Sequence, residues 1–268
     1  MRSVSLVVTL AALVGSCGGG GGFPVDAAPD SPPPGGRLSL AWSLTDTAAQ
    51  PITCGQVGGQ VVTLILHNRA IQGASTEVFG CTTGSGDTLP VLPGTYDVSF
   101  ELNGMVGLLA TAPPQMAIVV ESNKTTALAP VTFAVEAIGG LELSLASGKP
   151  GGNCAAVASN GAGITATTIT LVHTGGNCEP VTFQISAGAT KPASTYTVNC
   201  ATPVVGPCIE SDQKLTVSNV PSGGYQIHVR GKVGTTDCWI NDDGLAVPPL
   251  SKILKQTLNL GQQPTPGC

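Results

Sequence analysis

The sequence predicts an all-β protein, with two tandem antiparallel β-sandwich domains behind an apolar leader and a Gly/Pro-rich tether. Three observations carry this expectation. Stretches such as Tyr96-Asp-Val-Ser-Phe-Glu-Leu102 and Tyr225-Gln-Ile-His-Val-Arg230 alternate apolar and polar residues, the period of a half-buried strand. The 268 residues include 36 Gly and 21 Pro, spaced too closely for long helices. Charged residues make up only 10% of the chain, while Thr, Ser and Val abound, which suits short strands and tight turns.

At the N-terminus, Arg2 precedes the apolar run 4–14, and Val14-Gly-Ser-Cys17 closes it. A positive end, a short apolar stretch and small residues before a cleavage point form a secretory leader. Ending on a cysteine, this leader resembles the signal peptide of bacterial lipoproteins. The resemblance implies cleavage after residue 16, acyl chains such as palmitate on Cys17, and a protein anchored on a membrane facing the periplasm or the exterior. Several acyl chains together anchor stably. Gly at position 18, where Asp would mark retention at the inner membrane, favours the outer membrane by the same resemblance. No later stretch reaches the roughly 18 consecutive apolar residues of a membrane span.

Residues 17–36 hold five consecutive glycines and then Phe23-Pro-Val-Asp-Ala-Ala-Pro-Asp-Ser-Pro-Pro-Pro-Gly-Gly36. With no apolar face to offset its ordering entropy, this segment is predicted to remain a tether that lifts the folded part off the membrane.

After the tether a similar pattern runs twice, predicting a first domain over 37–137, a second over 138–262 and a tail over 263–268. Leu38-Ser-Leu-Ala-Trp-Ser-Leu44 corresponds to Leu141-Glu-Leu-Ser-Leu145, and Val61-Val-Thr-Leu-Ile-Leu-His-Asn68 to Thr167-Thr-Ile-Thr-Leu-Val-His-Thr174. Leu92-Pro-Gly-Thr-Tyr96 and Val220-Pro-Ser-Gly-Gly-Tyr225 each turn into an alternating strand, and 125–135 and 253–260 supply a final strand. Matching His67 with His173 and Tyr96 with Tyr225 requires an insertion in the second copy, which contains Cys178 and Cys200. The two Pro-Gly-Thr-Tyr-like turns resemble those of carboxypeptidase-regulatory-like (transthyretin-like) sandwich modules, and immunoglobulin-like modules offer nearly the same turns. Either resemblance implies a compact sandwich used for display, packing or binding, without catalysis of its own.

Cysteine usage fits the same picture. Setting Cys17 aside leaves Cys54, Cys81, Cys154, Cys178, Cys200, Cys208, Cys238 and Cys268. An even set in an exported chain predicts a disulfide framework, and the absence of Cys-x-x-Cys spacing argues against a metal site. The domain division leaves Cys54 and Cys81 together in the first half and predicts that pair. The other six stay unordered.

Chemistry-bearing residues are sparse. The net charge of −5 supplies no basic stripe for nucleic acid. His67 and His173 are read as rim residues closing the two cores, and His228 as lying on the polar side of its strand. Ser211-Asp-Gln-Lys214 matches a Ser-x-x-Lys pattern, yet Lys214 leads into a strand rather than a helix. Asn241-Asp-Asp-Gly244 offers too few oxygens for calcium and is read as a hairpin turn. Trp42, Trp239, Tyr96 and Tyr225 are read as core residues rather than a stacking platform. No cofactor and no metal are expected. The reading is therefore a non-enzymatic, lipid-anchored envelope protein, a structural or interaction module whose partner is an envelope protein or a glycan. The alternative is a hydrolase, or an enzyme accessory subunit, with a site around the 174–212 insertion.

Overall fold

The computed structural model describes residues 34–105 and 107–268. Leader, Cys17 and residues 17–33 lie outside them. The described chain is all-β, apart from a one-turn helix α1 (Cys54–Val57) and two short 3-10 turns.

Eight strands form the first sandwich: β1 (Arg37–Asp46), β2 (Gly59–Asn68), β3 (Ala74–Gly80), β4 (Ser85–Asp87), β5 (Gly94–Gly104), β6 (Gly107–Val120), β7 (Thr125–Ala127) and β8 (Val131–Val135). One sheet runs β3-β2-β5-β6, and the other is built on β1, with β4, β7 and β8 as its partners. Alternation sets which side faces in. Leu38, Leu40, Trp42 and Leu44 of β1 meet Val62, Leu64 and Leu66 of β2 and Tyr96, Val98, Phe100 and Leu102 of β5 in one apolar core.

The second sandwich contains β9 (Ile138–Ala146), β10 (Ala166–His173), β11 (Thr182–Ile185), β12 (Ser194–Thr197), β13 (Val205–Pro207), β14 (Leu215–Pro221), β15 (Gly223–Val233), β16 (Thr236–Val247), β17 (Ile253–Asn259) and β18 (Gly261–Gln262). Its sheets are β13-β10-β15-β16-β18 and β12-β11-β14-β9-β17. A separate core lies between them, with Leu141, Leu143 and Leu145 facing Ile169, Leu171, Tyr225, Ile227 and Val229.

The two sandwiches share a pairing pattern. In each sandwich the first strand pairs in parallel with a strand late in the copy, β1 with β8 and β9 with β17. In each, a central antiparallel trio lies between them in sequence, β2-β5-β6 and β10-β15-β16. The parallel pairs depart from the purely antiparallel expectation. In both sandwiches the chain crosses between the two sheets several times before its closing strand joins the opening one.

A clamp secures the junction between the sandwiches. The Leu250 and Ser251 backbone N–H groups donate to the carbonyls of Glu136 and Ile138 (both 2.9 Å), and Ser222 N–H donates to the Ala137 carbonyl (2.9 Å). Leu250 and Ser251 hold this turn with φ of 62° and 50°, a region that side chains other than glycine enter at a cost. At Gly139 a Cβ would stand 1.9 Å from the Pro248 carbonyl oxygen, so only glycine lets the two segments approach. Residues 263–268, expected as a tail, instead fold back. Gln263 N–H donates to Cys238 O at 2.8 Å, and Cys268 is bonded to Cys238.

Candidate functional site

Both tyrosine turns predicted from sequence build the same local device. Tyr96 Oη donates to the Leu92 carbonyl at 2.7 Å, and Tyr225 Oη donates to the Pro221 carbonyl at 2.8 Å, each reaching back four residues. A tyrosine bonded in this way at a strand corner is a feature of Greek-key sandwiches. Burial, and then the Glu179 charge, push the Tyr225 hydroxyl well above the ordinary phenol range, so it acts as a donor. His173 sits edge-on to the Tyr225 ring with centroids 4.9 Å apart.

Here the register corrects an expectation. Asn68 lies opposite Tyr96, whereas His173 lies opposite Tyr225, so Asn68 is the counterpart of His173. His67 falls one residue out of step and is exposed on the outer face beside Ile65. A one-residue slip in a strand exchanges its faces, which is why matching the two histidines misleads.

A groove near the insertion lies at the loop end of the second sandwich. It encloses about 650 Å³ and is lined among others by Asn153, Thr190, Lys191, Glu210 and Asp212. Its floor is tied by the Cys154–Cys208 disulfide and by the buried Asn153. Asn153 Nδ2 donates to Leu145 O (2.9 Å) and Ile209 O (3.1 Å), while its Oδ1 accepts from Ser147 N–H (2.9 Å). The carboxylates are equally committed. Asp212 accepts from Ala189 N–H at 2.8 Å, and Glu210 accepts from the Thr190 hydroxyl, from Thr190 N–H (3.1 Å) and from Lys191 N–H (3.3 Å). The Thr190 hydroxyl and N–H bonds hold the Glu210 carboxyl below its ordinary range. These bonds brace the 189–191 loop, and the lowered Glu210 carboxyl is a weaker base than an ordinary carboxylate.

A third polar cluster lies on the outer face of the β15–β16 ribbon. Asp242 receives Arg230 at 2.8 Å and contacts His228 Nδ1 at 2.6 Å. The Arg230 hydrogen bond leads the causes that hold Asp242 below its ordinary carboxylate value. The segment 241–244, read from sequence as a hairpin turn, therefore lies inside β16. The turn itself comes earlier, between β15 and β16, where Gly234 has φ 62°. Cross-strand partners His228 and Arg230 make Asp242 acceptable in a strand, and Asn241 Nδ2 donates to Asp243 (2.7 Å) and to Asn259 O (3.0 Å).

The structure joins Cys54 to Cys81, Cys154 to Cys208, Cys178 to Cys200 and Cys238 to Cys268. Cys178–Cys200 closes within the insertion. Trp42 and Trp239 are buried, their indole N–H groups donating to Cys81 O (2.9 Å) and Ala162 O (3.0 Å). Lys214 Nζ donates to Ser144 Oγ at 2.6 Å, while Ser211 Oγ accepts from Asn153 N–H at 3.1 Å, so the Ser-x-x-Lys pair is divided between two structural roles. Asn153 had no sequence signal beyond its place before Cys154. Among the described residues no group of three or more His, Cys, Asp or Glu is placed to hold a metal ion.

The class that this arrangement defines is a tandem, disulfide-braced β-sandwich protein. No family model and no curated protein matches the chain. Among solved structures it is similar, over 85% of its length and 99% of the other chain, to the major pilin from Streptococcus pyogenes, with 8% identity and a TM-score of 0.30. It is also similar to GBS52, the minor pilin of Streptococcus agalactiae, covering 86% of this chain and 98% of that one at 10% identity and TM-score 0.26. A leucine-rich repeat protein from Bacteroides thetaiotaomicron is matched over 85% of this chain at 12% identity and TM-score 0.26, and the chain spans 26% of that protein.

Proposed function

We propose that this protein is a non-catalytic module of the cell envelope, anchored through acyl chains on Cys17 and displaying two braced sandwiches for structural or adhesive contact. The observation that supports this reading is the pairing of all eight cysteines after the tether into four disulfides. Such pairs persist in oxidising compartments outside the cytoplasm. With the sandwiches clamped at 136–140, loops and sheet edges become the contact surfaces. The module family is transthyretin-like or immunoglobulin-like by the form of its tyrosine turns. Chemical cross-linking on intact cells, followed by mass spectrometry, tests the role. Capture of a reproducible envelope protein through loops of one sandwich supports an interaction module. Recovery of the chain alone, where other envelope proteins do cross-link, contradicts a protein-binding role and leaves a glycan ligand to be sought.

The second reading, a hydrolase or accessory site around 174–212, draws on the groove that holds Glu210 and Asp212. Measurable hydrolysis of an envelope polymer, lost in Glu210→Gln, would establish it in place of the first.

A further inference from the structure

The turn between β6 and β7 carries Glu121-Ser-Asn-Lys124 and leads into Thr125, the first residue of β7. Asn123-Lys124-Thr125 is the Asn-x-Thr pattern at which an exported chain accepts an N-linked glycan, with a residue other than proline in the middle. It is the only such triplet in the sequence, because every other asparagine lacks a hydroxyl residue two positions on. A triplet alone arises easily by chance, so its placement decides. Were its asparagine buried, as Asn153 is, no transferase could reach it.

Its placement is favourable on each count. Residues 121–125 are all exposed. Asn123 occupies the left-handed region at φ 57°, a conformation that asparagine tolerates in turns. The backbone is held from both sides: Asn123 N–H donates to Gly35 O at 3.2 Å, and Lys124 N–H to Glu121 O at 3.3 Å, with a Lys124–Glu121 ion pair across the turn. Neither the Asn123 side-chain amide nor the Thr125 hydroxyl takes part in a hydrogen bond among the described residues. Both groups that the acceptor reaction uses are therefore accessible and uncommitted. The bond to Gly35 also puts Asn123 beside the start of the folded chain, where the tether ends.

We infer that Asn123 is an N-glycosylation acceptor, placing an oligosaccharide at the root of the tether; the inference rests on export of the chain. The donor class is a lipid-pyrophosphate-linked oligosaccharide. Asn123 Nδ2 forms a bond to C1 of the reducing-end sugar as the bond from C1 to the phosphate oxygen breaks. The lipid pyrophosphate leaves with the electron pair, a base of the transferase takes the amide proton, and nothing is oxidised or reduced. A bulky, hydrated group here would shield the start of the first sandwich from proteases and hold it away from headgroups.

The test is mass spectrometry of the full-length protein purified from its own host, with a non-tryptic digest that leaves 121–125 intact. The expected result is a peptide heavier by an oligosaccharide, with sugar fragment ions. That mass is lost in Asn123→Gln and in Thr125→Ala and kept in Thr125→Ser, which preserves the hydroxyl. A protein cleaved at Cys17 and fully oxidised, yet bare at Asn123, overturns the glycosylation inference alone. A bare, reduced protein retaining residues 1–16 overturns export as well. Modification that persists in both Asn123→Gln and Thr125→Ala overturns the assignment of the site.

Discussion

Removing the Cys154–Cys208 disulfide should cost more stability than removing any other. Its half-cystines are 54 residues apart, against 22 for Cys178–Cys200. In the chain-entropy relation, the constraint on the unfolded chain grows with the logarithm of the closed loop, giving about 4.2 kcal/mol for the first and about 3.4 kcal/mol for the second. Structure adds to this ranking, since Asn153 bonds Leu145, Ile209 and Ser147 directly beside the longer link. Loosening that hub deprives buried carbonyls of their partners. The assay is thermal and urea unfolding of detergent-extracted full-length protein, wild type against Cys154→Ala/Cys208→Ala and Cys178→Ala/Cys200→Ala. At about 2–4 °C per kcal/mol, the melting temperature of the second sandwich should fall by about 8–16 °C for the longer link. A Cys154→Ala/Cys208→Ala variant within about 0.5 kcal/mol of wild type, or one more stable than Cys178→Ala/Cys200→Ala, would refute the reasoning.

The two tyrosine corners predict matched losses. Tyr96→Phe and Tyr225→Phe should each cost about 1 kcal/mol by urea titration, and an unchanged midpoint in either would show that its hydroxyl bond to Leu92 or Pro221 is energetically idle. Asp242 predicts an acid limb. Because Arg230, with His228, depresses its folded value, its contribution is present above the unfolded carboxylate range near about 3.9 and fades as pH falls through the lower folded value. Asp242→Asn should therefore lose less stability than wild type between about pH 4 and pH 2, and parallel curves would contradict this. Gly139→Ala should weaken the clamp, because its Cβ would meet the Pro248 carbonyl. Limited proteolysis near residue 137 should quicken, and an unaltered digestion pattern would count against a clamp.

Much of the fold was readable from two short-range signals. Period-2 alternation located β5 and β15 with their inward sides, and the paired turns before Tyr96 and Tyr225 showed that the pattern occurs twice. Cys54–Cys81 followed from a domain division that left no other partner. Other features depend on contacts between residues distant in sequence. Matching His67 to His173 placed β2 one residue out of step, because a polar residue at a strand end carries less register information than Leu64, Leu66, Ile169 and Leu171 in the cores. The segment 241–244 has turn composition, but cross-strand partners Arg230 and His228 keep it in β16. Nor does Asn153 announce its role, since its three bonds come from segments on either side of a disulfide whose pairing the chain does not spell out.

We propose a sandwich pair displayed on an acylated Cys17. Fractionation of cells producing wild type and Cys17→Ser, with the mass of the N-terminal peptide, tests it most directly. Wild type is expected in the membrane fraction, beginning at Cys17 and bearing acyl chains, and the variant released in soluble, disulfide-bonded form. A wild type that keeps residues 1–16, or a variant that stays with the membrane, would contradict it.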